Sequence, residues 1–159
     1  MKKERFYNIL FPIWMLVFLP TPLWFFLIPA NYLIDYLVLR YCKKKLGIEE
    51  EKFLLKYTWL VCLFGFISDF IGALFLFVCL NVITGPEYHD VIQAISMNPF
   101  HDIRGFFLIA VGIAVAAFFI CLCNYLFFKK GYEKEKAKYI ALRMALFTAP
   151  YLFLIPLYW

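Results

Sequence analysis

Four apolar runs dominate the chain: Phe6 to about Tyr41, about Leu54 to Thr84, Gly105 to Phe128, and Ile140 to Trp159. Apolar runs longer than about 18 residues reach across the hydrocarbon core of a bilayer, and they leave few other folds open. Composition points the same way. Hydrophobic residues make up 65% of the chain and charged ones 17%, whereas a soluble domain holds about 45–50% apolar and about 25% charged residues. The mean hydropathy is +0.78. The expected class is all-α: residues 1–159 form a single integral membrane domain, a polytopic transmembrane helical bundle of four or five membrane segments.

The first run is too long for one span. As a helix its residues would reach about 54 Å, against a hydrocarbon core of about 30 Å. The PTP stretch at 20–22 breaks it, because proline lacks an amide hydrogen and restricts the residue before it. The predicted result is an N-terminal proline-broken hairpin with arms at 6–19 and 22–41, followed by segments at 54–84, 105–128 and 140–159. The MKKERFYNIL start resembles a signal peptide but has no A-x-A cleavage site, so it is read as retained.

Basic residues choose the sides. Lys2, Lys3 and Arg5 precede the first arm; Arg40, Lys43, Lys44, Lys45, Lys52 and Lys56 flank 43–52; Lys129, Lys130, Lys134, Lys136, Lys138 and Arg143 flank 129–138. The 85–104 connection holds only Arg104, and nothing basic follows Arg143. The positive-inside rule therefore puts the N-terminus and both basic connections in the cytoplasm. Five segments satisfy every flank and leave the C-terminus outside; four spans with the N-terminus outside are the alternative. Trp14, Trp24, Trp59, Tyr158 and Trp159 fall towards segment ends, where amphipathic rings favour the interface.

Against this apolar background a few polar groups stand out at membrane depth. Asn31 and Asp35 share one helix face, about 13 Å and about 7 Å inside Arg40. Asp69 lies about 18 Å in from Tyr57, and Asn124 about 7 Å in from Lys129, with Arg143 at a similar level. A charge at the centre of a spanning helix costs about 2.5–3.5 kcal/mol on insertion scales, so each acid needs a partner, a proton or water. Arg143 and Asn124 are the expected partners of Asp35. Asp69 has no cation at its depth and is expected to be protonated or to face a hydrated cavity near Ser68 and Asn31. The cluster Asn31, Asp35, Asp69, Asn124 and Arg143 reads either as a polar or ion path or as glue between helices.

Small residues form two stripes, Gly65–Ser68–Gly72 and Gly105–Gly112–Ala116, expected to let helices pack closely within the core, with a dimer face as the other reading. Pro29, Pro150 and Pro156 interrupt apolar runs. Each frees a carbonyl one turn earlier that Thr148 or water can rebond, and harmless kinks are favoured over a transporter-like break. In the 85–104 connection, DVIQAISM looks like a short interfacial helix. His89, His101 and Asp102 are weak metal or acid–base candidates there, but their spacing matches no ligand motif, so a solvated loop is expected and no metal or cofactor is assigned.

The five cysteines, Cys42, Cys62, Cys79, Cys121 and Cys123, form no CxxC pair and read as reduced, small apolar side chains. The net charge of +5 is dispersed, which argues against nucleic acid as a partner. HExxH, GxSxG, Walker A and GxGxxG are absent, as are the motifs of lipid-phosphate phosphatases and CDP-alcohol transferases, so the chain is not expected to be an enzyme.

The stretches FPIWMLVFLPTPLWFFLIPANYLIDYLVL, FGFISDFIGALF and TAPYLFLIP together resemble a group of small bacterial polytopic membrane proteins with no assigned activity. The resemblance implies a bacterial cytoplasmic (inner) membrane location. Two functions compete: a small transporter, channel or accessory membrane protein using Asp35, Asp69 and Asn31 as a polar path, and a non-catalytic assembly or scaffold subunit held by the same residues. A lipid-directed enzyme using His101 and Asp102 is a distant third. Expected partners are the lipid bilayer and a second copy or another membrane protein.

Overall fold

The computed structural model describes Trp14, Met15, Pro22 and residues 24–157, so the arm expected at 6–19 lies almost wholly outside the described residues. Among them every regular element is helical and there is no strand. The α-helices are α1 Trp24–Leu46, α2 Phe53–Val82, α3 His89–Ser96, α4 Ile103–Phe128 and α5 Lys134–Thr148, with 3-10 turns at Pro86–Tyr88 and Tyr151–Leu154.

Local chemistry sets the ends. Gly47 stops α1: its φ of 62° is one that a glycine accepts without strain, and Ile48 N–H then reaches back to Lys43 O at 3.1 Å. Lys43, Lys44 and Lys45 occupy the last turn, where cations favour the helix dipole. Asp102 starts α4 by accepting the amides of Arg104 (2.8 Å) and Gly105 (3.3 Å). The Arg104 side chain, followed by those amides, holds the Asp102 carboxyl below its ordinary value of 3.8. Because the folded value is the lower one, this contribution is full above the ordinary carboxylate range and fades as pH falls through the folded value. Asp102→Ala should lower Tm by about 2 °C at neutral pH, and by less in acid, on thermal unfolding at both pH values.

The fourth apolar run departs from expectation. A span at 140–159 was predicted, but the helix begins earlier, at Lys134, and ends at Thr148. Pro150 is the cause: it forces Ala149 to an extended ψ of 151°. The carbonyl of Leu146, four residues before the proline, is taken by Tyr151 Oη at 2.7 Å, while Thr148 Oγ1 donates to Met144 O at 2.8 Å. Pro29, by contrast, sits inside α1 without ending it.

The bundle has two ends. One carries the basic connections between α1 and α2 and between α4 and α5, with Tyr132 Oη donating to Glu50 Oε2 at 2.7 Å across them. The other is closed by α3, where Trp14 Nε1 donates to Ile95 O at 2.9 Å and Leu157 N–H to Met97 O at 2.8 Å. The predicted DVIQAISM helix is thus present as α3, and the chain after Pro150 continues to its level. Trp14→Phe should cost about 1–3 kcal/mol, seen as a lower Tm, because it leaves the buried Ile95 carbonyl unpaired.

Two helices, α2 and α4, are long and apolar enough to cross a membrane. The other expected segments fall short of this among the described residues. Asn31, Asp35 and Arg40 dilute α1, and α5 has 15 residues, about 22 Å. α1 also begins beside the middle of α2, since Trp24 stacks on Phe66 at 5.9 Å.

α2 and α4 run antiparallel in close contact. A Cβ on Gly72 would lie 2.8 Å from Gly112 O and 2.9 Å from Ala116 Cβ, and Gly105 is pressed as closely against Ala94. The small-residue stripes therefore serve packing inside the bundle. Gly65 does not take part, having nothing within 4 Å of where its Cβ would be.

Candidate functional site

Two apolar clusters fill the bundle, one towards the basic end around Leu39, Val61, Ile120 and Met144, the other towards α3 around Leu76, Ile95 and Ile109. Between Val61 and Ala73 the buried face of α2 turns polar, with Cys62, Ser68 and Asp69 all buried. Cys62 and Asp69 are seven residues apart, two turns on one face, separated by about 10 Å along the axis.

Asp35 comes to this face from α1 and is buried. It lies beside the Cys62 thiol and within electrostatic reach of Asp69. Asp69 is 8% exposed, and its Oδ1 is buried with no hydrogen-bond partner. Asn124, fully buried on α4, donates its Nδ2 to Ile120 O at 2.8 Å, while its Oδ1 is likewise without a partner. The centre is thus two interior carboxyl groups and a thiol, with one unpartnered oxygen, Asp69 Oδ1.

Asp35 and Asp69 lie within electrostatic reach of each other, but Arg143 does not pair with Asp35. Its guanidinium lies over the Tyr139 ring, 5.1 Å from the centroid, and the ion pairs among the described residues are Lys56–Glu50, His101–Asp90, Arg104–Asp102 and Lys136–Glu133. The physical reason is direction. Asp35 faces α2, whereas a helical side chain leans towards the preceding turn, which carries Arg143 back to Tyr139. Asn124 spends its amide on its own helix and gives Asp35 no hydrogen bond. Ser68 donates to Phe64 O at 2.7 Å instead of serving Asp69. Asn31 is half-buried one turn from Asp35 and bonds to none of these groups among the described residues.

Cys62 was missed as a member of the centre because it was read only as a small apolar side chain. The seven-residue spacing to Asp69 was the available signal. At the α3 end, His101 Nε2 lies 3.6 Å from Asp90 Oδ1 while Asp102 caps α4, so the two neighbours face different partners. Among the described residues no three His, Cys, Asp or Glu side chains could hold a metal ion together, His89 included.

No protein-family model matches this chain, and neither a curated protein nor a solved structure matches it.

Proposed function

We propose that the chain is a multi-pass membrane protein of transporter type in which Asp35 and Asp69 carry a proton or a monovalent cation. Membrane residence is supported by where the apolar surface lies. Only 33% and 28% of the apolar windows of α2 and α4 are buried, whereas the core helix of a soluble protein is mostly buried. Large exposed side chains such as Leu55, Leu63, Phe70, Phe77, Phe107 and Phe118 cover both helices, far more than a water-facing surface tolerates. In this reading the basic end is cytoplasmic and residue 157, at the α3 end, is on the other side. The described chain supplies two full spans, α2 and α4, with α1 and α5 as shorter flanking segments.

The observation that carries the transport reading is the unpartnered Asp69 carboxylate oxygen, buried at mid-height of α2. Intramembrane acids without a cation partner mark proton and ion sites by default. α1 begins three residues below Asp69 on the α2 scale, at Phe66, and helices that start part-way across the bilayer are a feature of transporter sites. The test is proton or cation flux into proteoliposomes holding the purified protein under an imposed diffusion potential. Flux that depends on Asp69 supports the reading, and its absence in correctly folded protein sinks it.

A second reading has its own observation. The buried Asp35 of α1 lies beside Cys62 of α2, a polar contact between helices of the kind that holds a bundle together. If Asp69→Leu melts no lower than the native chain, that structural role is excluded for Asp69.

A further inference from the structure

The surface of α5 beside the end of α1 presents a cation, Arg143, with no ion-pair partner among the described residues. Leu142, Leu146 and Phe147 are about half exposed and apolar, and Arg143 lies among them. The guanidinium carries five N–H donors; among the described residues it makes no hydrogen bond or ion pair and lies over the face of Tyr139, within electrostatic reach of Tyr41 and Cys42. That contact bends the side chain towards the basic end, as long cationic side chains bend towards a headgroup region. Beside it Tyr139 Oη donates to Tyr41 Oη at 3.4 Å, leaving the Tyr41 hydroxyl hydrogen free for another acceptor. Tyr139, Leu142, Arg143 and Leu146 line one open groove of about 360 Å³.

The geometry points to a binding site for an anionic phospholipid, its phosphate on Arg143 and Tyr41 and one acyl chain along Leu142 and Leu146. The inference rests on the membrane reading above. An inorganic anion would satisfy only the guanidinium and leave the leucines exposed, whereas an amphiphile covers both. Charge complementarity favours an anionic headgroup over a zwitterionic one: Arg40, Lys43 and Lys44 share this end of α1. The planar guanidinium fork matches two phosphate oxygens at once.

The test uses the full chain in detergent micelles, with phosphatidylglycerol or phosphatidylcholine added and bound lipid counted by native mass spectrometry. One basic side chain near such a surface contributes about 1 kcal/mol, so phosphatidylglycerol should be retained about five-fold over phosphatidylcholine. Arg143→Leu should erase the preference, Arg143→Lys should keep part of it, and Arg104→Leu, at the other end, should leave it unchanged. Melting in phosphatidylcholine alone checks that Arg143→Leu is folded; if it is not, Arg143→Gln takes its place. Equal retention of the two lipids, or a preference that survives loss of Arg143, overturns the site. Competition by millimolar inorganic phosphate identifies a free-anion site and overturns the lipid assignment, as does an Arg143-dependent dimer in phosphatidylcholine. A chain that is soluble without detergent and does not sediment with membranes refutes the membrane reading instead, which separates the two failures.

Discussion

Gly72→Leu is expected to prevent α2 and α4 from closing on each other. Even a Cβ at residue 72 would stand 2.8 Å from the Gly112 carbonyl oxygen. That neighbour is backbone of a 26-residue helix, so it cannot swing aside as a flexible side chain would. Overpacking of a tight core costs about 1–3 kcal/mol, and here the strain falls on the most extensive helix contact among the described residues. A cost of about 3 kcal/mol or more is a large part of a typical stability of about 5–15 kcal/mol. Gly65→Ala is the control. Nothing lies within 4 Å of its Cβ site, so the change should gain up to about 1 kcal/mol of helix propensity. Thermal unfolding of the three proteins in one detergent reads both signs. A Gly72→Leu protein that melts with the native chain would show that α2 and α4 are not packed as described.

Asp69→Asn should lower flux in proteoliposomes on the order of ten-fold or more, while the protein still folds. The side chains are nearly the same size, so packing is kept. What is lost is the ability to take up and release a proton or to neutralise a cation. Asp35→Asn should also reduce flux, since Asp35 lies about 10 Å nearer the basic end at the level of Cys62. Cys62→Ser keeps a donor to Asp35 and is expected to leave flux close to native, whereas Cys62→Val removes the donor and should reduce it. Above Asp69, α2 and α4 carry apolar side chains apart from cysteines until Asn81 and Arg104 near their far ends. The transport proposal therefore predicts a site loaded from the basic end, without a polar path past Asp69 along α2 and α4. Unchanged flux in Asp69→Asn would remove the proposed role and leave the carboxylate as a helix tie.

The helices of this protein were legible because their signals are local. Long apolar runs, the glycine after Lys43–Leu46 and the aspartate before Ile103 each act within a turn or two of chain. The start of α2 was expected at about Leu54 and lies at Phe53; that of α4 was expected at Gly105 and lies at Ile103. The last segment was misjudged because apolarity alone does not distinguish helix from the extended chain and 3-10 turn that Pro150 imposes. Depth along separate helices grouped Asp35 with Arg143 and Asn124 and set Asp69 apart, but depth says nothing about rotation about the helix axis, and it is Asp69 that Asp35 comes within electrostatic reach of. Arg143 has the depth of a partner for Asp35 and the wrong direction.

The sequence by itself pointed to an all-helical class, to α2 and α4 among a larger set of apolar segments, to the basic and non-basic connections and to the residues whose burial would be costly. These follow from composition and from interactions between near neighbours along the chain. The tertiary structure alone decided which faces meet: Asp35 against Cys62 and not Arg143, Gly72 against Gly112 and not a second copy, and α1 beside only the lower half of α2. Those choices depend on helix rotation and relative height, which arise from packing between segments far apart in sequence.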